Sequence, residues 1–263
     1  MKNLLIVITL MIFPLTSIAV NCEIPDDLYK EATNGYGNAQ LELGKFYFFE
    51  CGYKNKPLAA WWIKKAAQQG NAEAQGRIAI MYHEGIGVQK DYHQAVQWSQ
   101  KGADQGDVSS QYLLGLMYYS GDGVELNYPQ AAKWFQKAAE QGNVYAQGEL
   151  GDIYYSGIGV DQDFNQAVKW YQKAADQGRA GNDENVKLGD MYYSGIGVKQ
   201  DYVQAAKWYQ KAVDIGHMDA NVRLGKMYAS GYGVKKDKLT AKSMFEEACS
   251  RGSKEGCALF ADQ

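Results

Sequence analysis

Tryptophan recurs along this chain on a fixed stride. Trp62, Trp98, Trp134 and Trp170 stand 36 residues apart, and Trp208 follows after 38. The glycines of the Leu-Gly pairs keep the same step: Gly115 to Gly151 is 36, Gly151 to Gly189 is 38, and Gly189 to Gly225 is 36. The two extra residues lie within Arg179-Ala180-Gly181-Asn182-Asp183. A stride in this range means one supersecondary unit written many times. Each copy buries its apolar face only against its neighbours. With 29 glycines and only 4 prolines, the chain has many turn points and few helix breakers.

Inside a unit the apolar period is helical. In 147–159, Leu150, Gly151 and Tyr154 share one helix face, and the helix should stop at Ser156-Gly157-Ile158-Gly159. Asp163 then restarts a helix as N-cap, with Gln166 three residues on to close a capping box. The same pair recurs as Asp91 and Gln94, Asn127 and Gln130, and Asp201 and Gln204. Pro57 and Pro129 fall in first turns, where the missing N–H costs little. The second helix carries Ala167, Trp170, Tyr171 and Ala174 on one stripe and ends at Gly178, as others end at Gly70, Gly106 and Gly142. Each unit therefore reads as helix A, a glycine loop, helix B and a short turn. Gly115, Gly151, Gly189 and Gly225 sit inside helix A, each costing roughly 1 kcal/mol against alanine. That repeated cost implies close approach of a neighbouring helix, with the tryptophan and tyrosine of helix B covering the gap.

The unit Ala146-Gln147…Leu150-Gly151…Tyr154…Gly157-Ile158-Gly159-Val160…Ala167…Trp170-Tyr171-Gln172-Lys173-Ala174-Ala175…Gly178 resembles the Sel-1-like repeat, a relative of the tetratricopeptide hairpin. The resemblance covers about residues 38–252 in six copies. Repeat one lacks the Gly-x-Gly-Val loop, repeat two has Ile78-Ala79 for Leu-Gly, and repeat six has Met244-Phe245 for Trp-Tyr. The implied fold is all-α, a right-handed α-solenoid of helix-turn-helix units. The implied role is that of an adaptor holding other proteins, often in the bacterial envelope. Some cysteine-rich members are described as β-lactamases or penicillin binders.

Residues 1–19 read as a signal peptide. Lys2 precedes the apolar run Leu4 to Phe13, and Ser17-Ile18-Ala19 supplies small residues for cleavage. A segment with a capping helix is expected over 20–37, and another capping helix over 253–263. An exported chain meets an oxidising compartment, where disulfides persist. Four cysteines allow three connectivities, and sequence proximity favours Cys22 with Cys51 and Cys249 with Cys257. The tail 248–257 also resembles the cysteine-rich secreted branch, where a helix B cysteine bonds to one on the next helix A. The expected location is periplasmic or secreted, with no transmembrane segment once the signal is removed.

Chemistry is hard to find in the residues. There is no G-x-S-x-G, no S-x-x-K and no K-T-G. His83-Glu84 is followed by Gly85-Ile86-Gly87 and so departs from a zinc-protease pattern. The loops at Gly85, Gly121, Gly157, Gly195 and Gly231 lack the lysine and preceding strand of a phosphate cradle. Formal charge is −3, which argues against nucleic acid as partner. We expect no cofactor, no metal and no catalysis.

What remains is the helix A stripe opposite the Leu-Gly face: Lys45 and Phe48; Ile80 and His83; Tyr112, Leu116 and Tyr119; Asp152 and Tyr155; Asp190 and Tyr193; Lys226. Aromatics with charges of changing sign suit a protein-binding face. The competing reading packs the second tyrosine of each Tyr-Tyr pair under its glycine loop. The expected partner is another protein, with a secreted toxin or an envelope signalling protein as candidates. Peptidoglycan binding and a β-lactamase-like activity are the alternatives.

Overall fold

The computed structural model describes residues 24–52, 55–178 and 183–262. The expected signal peptide, residues 1–19, and Cys22 lie outside these residues. Among the described residues there are fourteen α-helices and no strand. They fall into two compact units, residues 1–113 and 114–263.

The first unit holds α1 (Asp26–Thr33), α2 (Gly37–Phe49), α3 (Lys56–Gln68), α4 (Ala72–Glu84) and α5 (Tyr92–Asp104). Each helix packs on the next in sequence. The division falls within α6 (Val108–Ser120). The second unit continues with α7 (Tyr128–Glu140), α8 (Val144–Ser156), α9 (Phe164–Asp176), α10 (Glu184–Ser194), α11 (Tyr202–Asp214), α12 (Met218–Ser230), α13 (Lys238–Ser250) and α14 (Lys254–Ala261). From α7 onward each helix again packs on its successor. The even helices are the A helices of the sequence reading, and the odd ones from α3 to α13 are the B helices.

The B helices begin as the sequence indicates, with one difference. Asp91, Asn127, Asp163 and Asp201 each accept from the backbone N–H of the glutamine three residues on. The return bond from the glutamine side chain is not made. The N–H of each capping residue instead donates to a tyrosine carbonyl in the preceding A helix, as from Asp163 to Tyr154 and from Asp201 to Tyr192, both at 2.9 Å. That donor is already satisfied, so the capping box is only half formed.

The glycine loops have two distinct reasons for their two glycines. Gly157 ends α8 in the left-handed conformation, at φ 72°. Gly159 also has positive φ, and a side chain there would meet Tyr128 and Pro129 of the previous repeat's B helix at 2.6–2.8 Å. The loop is thus a docking point between successive repeats as well as a helix stop.

The glycines inside the A helices face a ring of their own repeat. A Cβ on Gly115 would lie 2.6 Å from the Phe135 ring, and one on Gly225 2.6 Å from Phe245. Gly151 and Gly189 stand in the same relation to Tyr171 and Tyr209. The sequence reading is corrected in part here. At these four positions the nearest contact is the aromatic residue next to the tryptophan position, rather than the tryptophan. The tryptophans are buried elsewhere and carry a lysine one turn on. Lys137 lies 3.9 Å from the Trp134 ring centre, Lys173 4.0 Å from Trp170 and Lys211 3.9 Å from Trp208.

A line of buried glutamines joins successive hairpins. Gln147 donates to the Ala139 carbonyl at 3.1 Å and accepts from Gln177 at 2.7 Å. Gln40 and Gln75 repeat both bonds in the first unit. The series lapses at Asn185 and Asn221, whose shorter side chains leave buried polar atoms without partners among the described residues. Cys249 and Cys257 form a disulfide, with Cα atoms 4.4 Å apart, tying α13 to α14. The expected Cys22–Cys51 pair includes a residue outside the described ones.

Candidate functional site: the A-helix face

In the first unit the stripe residues are half-buried or exposed. Lys45 is tied to Glu42 at 2.6 Å and lies 3.7 Å from Glu73. Phe48 meets Phe49 edge-on, and the Lys56 ammonium sits 3.6 Å from its ring centre. His83 contacts Glu84 at 2.6 Å and the Tyr92 ring at 5.2 Å. Ile80 is exposed and Tyr112 is half-buried. Lys45 and Phe49 line a shallow cavity of about 230 Å³ with Leu28, Glu42, Phe46 and Glu50.

In the second unit the aromatic stripe members follow one rule. Tyr119, Tyr155 and Tyr193 each pack edge-on against the residue nine positions later, at the start of helix B. The partners are Tyr128, Phe164 and Tyr202, at ring separations of 5.2, 5.3 and 5.1 Å. These rings brace the glycine loop, yet Tyr155 keeps 41% of its surface exposed. Tyr232 adds a third ring beside Tyr193, stacked on Tyr202 at 5.0 Å. Leu116 is half-buried, and Lys226 pairs with Glu255 at 2.5 Å.

Asp152 and Asp190 have a role that the sequence reading missed. Tyr171 is buried and donates its hydroxyl to Asp152 Oδ1 at 2.7 Å. Lys187 Nζ, one repeat further on, reaches the same oxygen at 2.6 Å. The arrangement recurs with Asp190, which accepts from Tyr209 at 2.6 Å and from Arg223 Nε at 2.8 Å. Burial, and then the bond to aspartate, push both tyrosine hydroxyls far above their usual pKa, so they remain donors. The signal in the sequence was the pairing of an aspartate after the helix A glycine with a tyrosine nineteen residues later. Leu116 and Lys226 hold the equivalent places, with phenylalanines 135 and 245 nineteen residues later.

Around Asp152 three carboxylates interact, its own and those of Glu149 and Glu184. Burial raises the pKa of Glu149, Asp152 and Glu184 raise it further, and Lys187 opposes them. Burial likewise raises Glu184, whose Oε2 is buried without a hydrogen bond among the described residues. Asp152, Tyr155, Tyr171, Lys187, Asp190, Met191, Ser194 and Ile196 enclose a cavity of about 280 Å³. The sequence stripe thus brings Asp152, Tyr155 and Asp190 together at one place. Among the described residues no three His, Cys, Asp or Glu side chains are grouped to hold a metal ion. No helix there is long and apolar enough to cross a membrane.

Six segments match the Sel1 repeat: 37–71, 72–107, 108–143, 144–178, 185–217 and 219–253. The chain belongs to the Sel1 repeat family. Solved Sel1-type structures agree. The chain is similar to a protective antigen present in uropathogenic Escherichia coli strains and displaying an SLR fold, at 36% identity and a TM-score of 0.83. That match covers 90% of this chain and 50% of the antigen, so the chain spans about half the antigen's length. It is also similar to a Sel1 repeat protein from Oxalobacter formigenes, at 34% identity and a TM-score of 0.70, over 83% of this chain and 89% of that one. No curated protein matches the chain. The family boundaries begin each Sel1 unit at helix A, as in the α8–α9 hairpin.

Proposed function

We propose that this Sel1 protein is a non-catalytic scaffold of the bacterial envelope that holds another protein on its A-helix face. Sel1 repeats mediate protein–protein interaction, which supports the scaffold reading. The observation that carries the location on the molecule is the cavity flanked by Asp152, Tyr155 and Asp190. It joins an exposed aromatic ring to fixed charges, the composition of interface anchors. The Cys249–Cys257 bond favours an oxidising compartment, in keeping with the signal-like amino terminus. The remaining stripe residues of each unit extend the same helical phase and are proposed as flanking contacts. The partner is a secreted toxin or an envelope signalling protein, so the role is immunity or regulation.

The test is cross-linking capture from the extracytoplasmic fraction with the native chain and with Tyr155→Ala/Tyr193→Ala. The double variant should lose its partner; because both rings also brace their loops, some loss of melting temperature is expected, and binding is compared for the still-folded fraction. Capture that is unchanged by the two substitutions would place binding on another face. Turnover of nitrocefin by protein purified free of host enzyme would overturn the non-catalytic reading.

A further inference from the structure

We propose that the cavity between Asp152 and Asp190 receives an arginine side chain from the protein partner. The inference rests on the scaffold reading above and adds the chemistry of the anchor. Each aspartate accepts its two bonds on Oδ1, from a tyrosine hydroxyl of its own repeat and a cation of the next. An ionised carboxylate has acceptor capacity on both oxygens. Among the described residues the second oxygen of each has no hydrogen-bond donor, and the two side chains are 50% and 45% exposed. The tyrosine hydroxyls fix the direction of both carboxylates in advance, so little order is lost when a donor arrives.

The cavity selects what that donor can be. At about 280 Å³ it lies below the roughly 300–1,000 Å³ of pockets that hold whole small molecules, and it matches a single inserted side chain. Among the described residues of its wall Lys187 is the one cation, already committed to Asp152 and the Tyr171 ring face, 5.1 Å away, and Arg223 is committed to Asp190 from outside that wall. Glu149 and Glu184 sit close enough to Asp152 to interact with it electrostatically. An entering anion would meet these carboxylates, whereas a cation would be drawn in. Tyr155 offers an exposed ring, and Met191 and Ile196 supply apolar wall. A planar guanidinium can donate to two carboxylates at once and stack on a ring, which an ammonium cannot match.

The test uses the full chain labelled with nitrogen-15 and three probes: the tripeptide Ac-Ala-Arg-Ala-amide, its neutral citrulline counterpart, and spermidine. The arginine peptide should give saturable amide shifts confined to residues 152–155 and 187–196, at least tenfold tighter than the citrulline peptide. Binding should weaken as salt is raised. It should also weaken at least tenfold in Asp152→Leu/Tyr171→Phe, a change that installs the residues of the third repeat, Leu116 and Phe135, at the same places and leaves no buried hydroxyl without an acceptor. Amides far from the cavity report whether that variant is folded. Equal binding of citrulline, shifts scattered over the surface, or tighter binding of spermidine than of the peptide would each overturn the proposal. A partner captured through Tyr155 by a protein that ignores the arginine peptide overturns this inference and leaves the scaffold standing. Arginine-peptide binding without any captured partner supports a guanidinium site in the cavity but overturns its assignment to a protein partner, together with the scaffold.

Discussion

Tyr171 and Asp152 lie nineteen residues apart and meet through a 2.7 Å hydrogen bond from a hydroxyl on a residue that is 1% exposed. The bond ties helix B to helix A within one repeat, and Lys187 extends it to the next repeat. Tyr209, Asp190 and Arg223 repeat the same triad. A buried hydroxyl without an acceptor costs free energy, so tyrosine at this position requires a polar neighbour. In the third and sixth repeats the ring is phenylalanine and the residue nineteen positions earlier is Leu116 or Lys226. The two positions therefore vary together within one chain.

From this pairing follows a double-mutant cycle. Asp152→Leu alone strands the Tyr171 hydroxyl and should lower unfolding free energy by about 1–3 kcal/mol. Adding Tyr171→Phe removes the stranded donor and should recover at least half of that loss. Urea denaturation of the four proteins gives the coupling. Additive losses would mean that the hydroxyl does not need the aspartate.

Much of this fold was legible in the sequence. The tryptophan stride gave the hairpin length, and the aspartate and asparagine caps marked where the B helices start. Other features depend on contacts that a linear period does not display. The half-formed capping box arises because a tyrosine carbonyl of the A helix takes the N–H of the cap. The second loop glycine is required by the previous repeat, so no reading of a single unit could explain it. Asp152 could be placed on the helix A stripe but not paired, because its partners lie nineteen and thirty-five residues away. Aligning the six copies column against column exposes the first of these partners.

Glycines of two kinds should respond differently to alanine. Gly151→Ala would gain roughly 1 kcal/mol of helix propensity. The added methyl, however, runs into the Tyr171 ring, and overpacking of this sort costs about 1–3 kcal/mol. Net destabilisation is expected, with Tyr171 displaced from Asp152. Gly70→Ala meets no atom within 4 Å, but at φ 91° it should cost about 1–2 kcal/mol from backbone strain alone. The two are separated by near-ultraviolet circular dichroism, since only Gly151→Ala should perturb tyrosine signals. A stabilised Gly151→Ala protein would show that the ring has room to move.

The glutamine line makes a separate prediction. Gln147→Leu is close in size, yet it removes one of two bonds from the Ala139 carbonyl, which keeps the Gly142 N–H, and one of two from the Gln177 amide, which keeps the Gly142 carbonyl. The expected cost is about 0.5–1.5 kcal/mol, with faster amide exchange at the start of α8 and the end of α9. Hydrogen exchange followed residue by residue checks the location. An unchanged exchange pattern would mean that water replaces the lost amide at no cost.

The pH dependence of stability should carry the mark of Glu149. Burial first, then Asp152 and Glu184, raise its pKa above the ordinary 4.5, against the pull of Lys187. The folded state then holds its proton more tightly than the unfolded chain does. Between 4.5 and the raised value the folded state binds more protons, so stability falls as pH rises through that window. Above the window the charged carboxylate carries its full cost, and below it both states are protonated and the cost vanishes. Glu149→Gln removes the charge, so it should melt higher than the native protein at pH 7, with a gap that closes towards pH 4. Glu73 behaves in the opposite sense. Although burial works against it, Arg77 and Lys45 hold its carboxyl low, so its stabilising pair is lost on acidification. That loss is common to both proteins and cancels in the difference. Thermal melts of the pair across this range measure the gap, and a gap of equal size at pH 4 and pH 7 would sink the assignment to Glu149 ionisation.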